Sequence, residues 1–196
     1  ALLDVFEIEP NSNYLKLALK LGHHLIDHFW DSENNSFFMT SDNHEKLIIR
    51  PKSNYDLSMP SGNSVSSFVM LRLYHLSQEQ SFLDISIKIM ESQAQTAAEN
   101  PFGFGYLLNT LYLYLEKPIE ITVINSENSE LCKSLFENYL PNSLMVTIQN
   151  SNQLNNLSEY PFFAGKSFED KTSVFICKNF SCSLALHTID EVNSKL

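Results

Sequence analysis

The stretch Tyr55-Asp56-Leu57-Ser58-Met59-Pro60-Ser61-Gly62-Asn63-Ser64 is the densest run of turn-forming residues in the chain, and it stands directly before a long apolar run. Pro60 fixes its own φ and Gly62 tolerates strained backbone, while Asp56, Ser61, Asn63 and Ser64 carry side chains that can cap a helix start. The pattern predicts a helix over 63–77. Its apolar residues, Val65, Phe68, Val69, Leu71, Leu73 and Leu76, spread around much of the circumference, so burial on more than one side is expected. Polar groups held at the mouth of a buried helix are an expected place for a site.

Upstream, Tyr14, Leu17, Ala18, Leu21, Leu25, His28 and Phe29 fall on one face of a helix expected over 14–30. The runs 37–39 and 47–49 read as extended segments around a polar loop, a loose hairpin closed by Pro51. The opening Ala1-Leu2-Leu3-Asp4-Val5-Phe6 reads as the end of a helix already under way, so the chain is expected to be a piece of something longer.

Downstream, helices are expected over 81–98 and 104–115, separated by Pro101 and Gly103 and stopped by Pro118. The pattern then changes. The β-branched run 119–124 reads as a strand, 125–129 as a capping loop, and Leu131, Leu135, Phe136 and Tyr139 as a short helix. A second strand over 144–148 completes a βαβ unit with parallel strands. A polar Asn-rich linker over 149–156, a third strand over 173–177 and a terminal helix over 189–196 follow. The expected division is helical hairpins over 1–117 and a small α/β unit with a mostly parallel sheet over 118–196, mainly α overall.

The bulk numbers exclude several classes. With 196 residues, 43% hydrophobic and 12% aromatic content and only 5 Gly, the chain can pack a core and is not low-complexity. A formal charge of -10 disfavours a nucleic-acid partner, because phosphates would be repelled. No stretch reads as a membrane span or a secretory leader. The 3 cysteines, Cys132, Cys177 and Cys182, are too few for a disulfide scaffold, and a reducing cytoplasm is the expected compartment.

Several of these residues carry a family resemblance. They are Phe29-Trp30-Asp31, Phe37-Phe38, Thr40, Leu47, Arg50 and Lys52, then Asp56 and Pro60-Ser61-Gly62-Asn63-Ser64-Val65. Leu71, Leu73 and Leu76 continue it, and Tyr139-Leu140-Pro141-Asn142 and Cys177-Lys178-Asn179-Phe180-Ser181-Cys182 close it. Together they resemble the thioredoxin-fused six-hairpin proteins related to spermatogenesis-associated protein 20. Leu57-Ser58 departs from the Gly-Ala pair usual at that place. The resemblance implies a partial (α/α)6 toroid, like that of six-hairpin glycosidases and N-acylglucosamine 2-epimerases. It also implies partners: the missing N-terminal half of the toroid or a second copy, and a thioredoxin-like domain.

Two readings of the site stay open. Asp56 as a catalytic candidate, with Tyr55, Ser61, Asn63 and Arg50 as ligand-binding candidates, can line a toroid pocket for a carbohydrate-like molecule, since carboxylate and amide suit vicinal hydroxyls. Alternatively Ser61 and Asn63 cap the helix and Asp56 fixes the turn, and the chain is a non-catalytic interaction scaffold. Arg50 can pair with Asp56. His24 and His28 have i, i+4 spacing but no evident third ligand, so no metal is expected. No Gly-rich phosphate loop is present and no cofactor is expected. Cys177 and Cys182 are close enough in sequence to form a redox pair or to accept a disulfide from a thioredoxin-like partner, and equally to be inert.

Overall fold

Ser61 ends an extended segment (φ -70°, ψ 154°), and its hydroxyl accepts from the Ser64 amide at 3.0 Å, so a helix starts immediately after it. In the computed structural model, which describes residues 1–45, 48–125, 129–168, 170–179 and 181–196, this helix is Gly62–Ser77. Leu47, residues 126–128 of the expected capping loop, and Phe180 lie outside the described residues. Contacts divide the chain into two compact units, residues 19–115 and residues 1–18 with 116–196. The division expected at residue 117 therefore has a different partner on its N-terminal side: the first eighteen residues pack with the α/β part.

The helical unit holds the second part of α2 (Ser12–Phe29), a small hairpin of β1 (Trp30–Asp31) and β2 (Ser36–Phe37), then α3 (Gly62–Ser77), α4 (Gln80–Glu99) and most of α5 (Gly105–Glu116). The buried positions of α2 are Leu15, Ala18 and Gly22, whereas Leu17 and Leu21 are exposed, so its inner face is rotated from the expected one. Gly22 explains this. A Cβ there would lie 2.7 Å from Leu73 and 2.9 Å from Phe82, so the missing side chain is what admits both. The hairpin also differs from expectation. Ser36–Phe37 pairs antiparallel with Trp30–Asp31, and among the described residues of the expected partner run, 48 and 49 are not in a strand; the turn is tight, with Asn35 at φ 49°.

Helix α3 is central, with Met70, Leu71, Arg72 and Leu73 all buried in succession. It meets α4 at two serines that bond reciprocally, Ser86 Oγ to the Ser67 carbonyl at 2.9 Å and Ser67 Oγ to the Ser86 carbonyl at 3.2 Å. Gln78, in the left-handed region at φ 58°, closes α3 by donating to the Tyr74 carbonyl.

The other unit is built on a four-stranded sheet of order β4-β3-β5-β6, where β3 is Ile119–Ile124, β4 Ser143–Ile148, β5 Ser173–Lys178 and β6 Ser181–Cys182. The βαβ expectation is met: β3 and β4 are parallel, joined through α6 (Glu130–Glu137). The expectation of a mostly parallel sheet is not, because β5 runs antiparallel to β3 and β6 antiparallel to β5. The register gives the reason. Ile124, the last residue of β3, faces both Ile148 at the end of β4 and Ser173 at the start of β5. The link 149–172 thus leaves and re-enters the sheet at one end and needs no crossover of its full length. That link also contains α7 (Ser151–Leu157), capped by Asn150, where a linker was expected.

One sheet face, with Ile121, Val123, Val174 and Ile176, packs on Leu131 and Leu135 of α6 and Val192 of α8 (Ile189–Asn193). Residues of the other face are buried as well, including Glu120, Thr122, Val146 and Cys177, so the sheet is covered on both sides. Helix α1 (Leu2–Ile8) lies against β4, where the Thr147 hydroxyl donates to the carbonyls of Glu7 and Ile8 at 3.3 and 3.1 Å.

Candidate functional site

Asp56 is 8% exposed and has every donor it can use around it. One carboxylate oxygen accepts from the Ser61 amide at 2.7 Å, at the start of α3. The other accepts from the Tyr106 and Leu107 amides at 2.8 and 3.2 Å, in the first turn of α5. Its own amide donates to the Gly103 carbonyl at 2.7 Å. Burial alone would raise the Asp56 pKa, but the Ser61 amide, the Ser64 hydroxyl and the Leu107 and Tyr106 amides outweigh it and hold the group below its ordinary value. Asp56 is therefore an ionised cap shared by the first turns of α3 and α5, the second of them reached through Tyr106, fifty residues away in sequence, and a poor proton donor or acceptor near neutral pH.

Asn63, 2% exposed, behaves like a strand residue. Its Oδ1 accepts from the Phe37 amide at 2.6 Å and its Nδ2 donates to the Phe37 carbonyl at 3.1 Å, so it satisfies both backbone polar groups of Phe37 in β2. The same Nδ2 donates to the Ser53 carbonyl at 3.0 Å and to Asn54 Oδ1 at 2.9 Å. Ser61 Oγ, besides capping α3, donates to Ser64 Oγ at 2.8 Å. Asp56 and Ser61 thus bond one another at the start of α3, while Asn63, two residues on, bonds Phe37 of β2 and the 53–54 segment.

The other two candidates have different partners. Arg50 is not paired with Asp56. It donates to the carbonyls of Thr40 and His28 at 2.6 and 3.2 Å and lies over the Phe38 ring, 4.0 Å from its centroid. Tyr55 is half exposed and packs on Phe104 at 5.1 Å between ring centroids. His28 Nδ1 lies 2.8 Å from Asp42, and the His24 and His28 rings are 4.5 Å apart.

A second cluster stands beside Arg50. Lys52 sits 4.7 Å from the same Phe38 ring centroid and pairs with Asp31, whose carboxylate also takes the Glu33 amide at 3.0 Å and Asn34 Nδ2 at 2.8 Å. The Lys52 bond, foremost, holds Asp31 well below the usual carboxylate range. Nothing in the local sequence singled out this pair as one unit, since its members are twenty-one residues apart.

A cleft of about 430 Å³ opens along α4 and α5, lined by Ile87, Met90, Ala94, Ala97, Leu107 and Leu111 among others, with Glu91 and Tyr114 as its polar members. None of the five expected site residues lines it. Its sequence signal is the small-residue set Ala94, Ala97 and Ala98 at helical spacing after Ile87 and Met90.

Cys177 on β5 and Cys182 on β6 form a disulfide, with sulfurs 2.07 Å and Cα atoms 3.9 Å apart. They occupy directly opposite positions of the antiparallel pair. Cys177 is buried and Cys182 exposed. Cys132 is a buried free thiol that burial pushes above its ordinary pKa.

No family model matches the chain. Curated proteins do. Spermatogenesis-associated protein 20 of Rattus norvegicus is 24% identical over 191 residues, covering 94% of this chain and 24% of the relative. The Homo sapiens protein of the same name is 23% identical over the same length. An uncharacterized protein of Caenorhabditis elegans is 22% identical over 196 residues, covering 98% of this chain and 26% of its own. The chain spans about a quarter of the length of the curated relatives it matches. Matched over nearly all of its own length, the chain is related to the spermatogenesis-associated protein 20 family.

Proposed function

We propose that this chain is a non-catalytic scaffold segment of a protein related to spermatogenesis-associated protein 20. Its helices form part of an α/α hairpin array, and its Pro-Ser-Gly-Asn-Ser motif is the clamp of that array. One observation carries the reading: the carboxylate of Asp56 and the amide of Asn63 are consumed by backbone partners on α3, α5 and β2. A carbohydrate site needs the same atoms free for hydroxyl groups, and exchanging them would leave buried helix-end amides unsatisfied. In the relatives, three quarters of the length lies outside the matched region, and we assign the partners of the scaffold to that remainder. Among the described residues no helix is long and apolar enough to cross a membrane.

The test is titration of monosaccharides and disaccharides into the 15N-labelled chain, up to tens of millimolar. The amides of Phe37, Ser61, Tyr106 and Leu107 are expected to stay unmoved, and Asp56→Asn to lower Tm by several degrees. Saturable shifts at those amides, lost in an Asp56→Asn variant of unchanged Tm, would replace the scaffold reading by the ligand pocket.

A further inference from the structure

We infer that the Cys177–Cys182 bond is a thiol–disulfide exchange site, attacked at Cys182 by a protein dithiol, and not a structural staple. Two observations carry this.

The first is how little the bond restrains. It joins residues 5 apart across a hairpin whose strands already face each other. A disulfide stabilises mainly by closing long loops in the unfolded chain, so a loop this short contributes at the low end. The neighbouring backbone does not depend on it. Val174 and Leu186 exchange two hydrogen bonds of 2.9 Å, the Ser183 amide donates to the Ile176 carbonyl at 2.9 Å, and Leu186 is anchored in the α6 core. Opening the bond leaves these in place.

The second is asymmetry. Cys182 belongs to the terminal strand of the sheet and is exposed, while Cys177 is 1% exposed. Exchange rates depend on which sulfur an incoming thiolate can reach. Here one is accessible and the other is screened, which directs attack to Cys182 and leaves Cys177 as the departing sulfur.

The step balances as follows. A thiolate of the dithiol attacks Cys182 Sγ; the Cys177–Cys182 bond breaks and its electron pair leaves on Cys177 Sγ, which takes a proton. The second thiolate of the dithiol attacks its partner sulfur in the mixed disulfide and releases Cys182, which is protonated in turn. The dithiol departs as a disulfide, having given up two electrons and two protons.

The experiment incubates the native chain with a Cys-X-X-Cys protein whose second cysteine is replaced by serine, so that the mixed disulfide persists. Peptide mapping is expected to find the link at Cys182, and Cys132→Ser to leave the yield unchanged. In parallel, native chain treated with dithiothreitol is expected to release two thiols at a rate proportional to reductant, with Tm changed by no more than a few degrees. A link at Cys177 or Cys132, no link at all, or reduction that proceeds only as fast as global unfolding would overturn the inference. So would a large loss of Tm on reduction. None of these outcomes bears on the scaffold reading, which concerns the other unit.

Discussion

At Asp56, one carboxylate holds the first turns of two helices, and its replacement separates charge from shape. Asn is nearly isosteric, but its Nδ2 would present a donor to amides that are themselves donors, the Ser61 amide on one side or the Tyr106 and Leu107 amides on the other. Hydrogen bonds to a charged group contribute roughly 1.5–3 kcal/mol each, so Asp56→Asn is expected to cost at least about 2 kcal/mol in urea unfolding. Because the folded pKa lies below the ordinary value, the contribution is fully present above that ordinary value and is lost as pH falls through the folded one. Wild-type stability should therefore drop below about pH 4 more steeply than that of the variant; parallel acid slopes in both would show that Asp56 is not the group involved. The turn chemistry of this stretch was legible in the sequence, because capping is local. The partner of Asn63 was not. Phe37 lies 26 positions away, and nothing short-range distinguishes an asparagine that caps a helix from one that reads a strand.

Between elements, packing and burial decide two further cases. Gly22→Ala gains about 1 kcal/mol of helix propensity. It also forces a methyl to within 2.7 Å of Leu73 and 2.9 Å of Phe82, both fully buried and unable to swing into solvent. Overpacking of this kind costs about 1–3 kcal/mol, so the net effect is destabilising, with α2 working loose from α3 and α4. A Tm equal to or above wild type would show that the core yields. In the other unit, Lys166 donates to the Phe162 carbonyl, and burial lowers its pKa to about 8 against the opposing charge of Glu120. Between that value and the unfolded lysine's, near 10.4, the unfolded chain binds more protons. Stability is then expected to rise with pH from about 8 to 10 and to be flat below. Lys166→Met should remove that rise in urea melts taken at several pH values; an identical rise in the variant would assign it elsewhere. Legibility of the elements follows the same physics. The run Ile119–Ile124 reads as a strand from composition alone because it is buried on both faces. Helix α7 does not, since only Leu154 and Leu157 interrupt its Asn, Gln and Ser. The direction of β5 was invisible, because it depends on which end of the sheet the 149–172 link leaves from, and the two exposed residues of β6 carry no strand signal.

At the scale of the whole molecule, the question is what meets the cleft along α4 and α5. Its walls are aliphatic and alanine-rich, and Leu115 and Tyr112 on the same helix are 64% and 54% exposed. Apolar surface left in water is unfavourable at roughly 25 cal/mol per Å², and contiguous patches of a few hundred Å² commonly mark a contact. The curated relatives are about four times the length of the matched region, so the occupant we assign is a helix from the remainder of such a protein. Small residues at Ala94, Ala97 and Ala98 suit it, because they let a helix axis approach closely. Ala94 is exposed in the chain alone, which makes Ala94→Glu informative: it adds a carboxylate to the cleft without entering the core. In the 196-residue chain the substitution is expected to leave Tm within a degree or two of wild type while reducing binding of an apolar dye. In a protein of the relatives' length the unsubstituted cleft is expected to bind no dye and to show slower amide exchange along α4 and α5, and Ala94→Glu to lower Tm there by several degrees. Equal dye binding and equal exchange in the short and long forms would show that the cleft stays open to solvent and that no helix from the remainder occupies it.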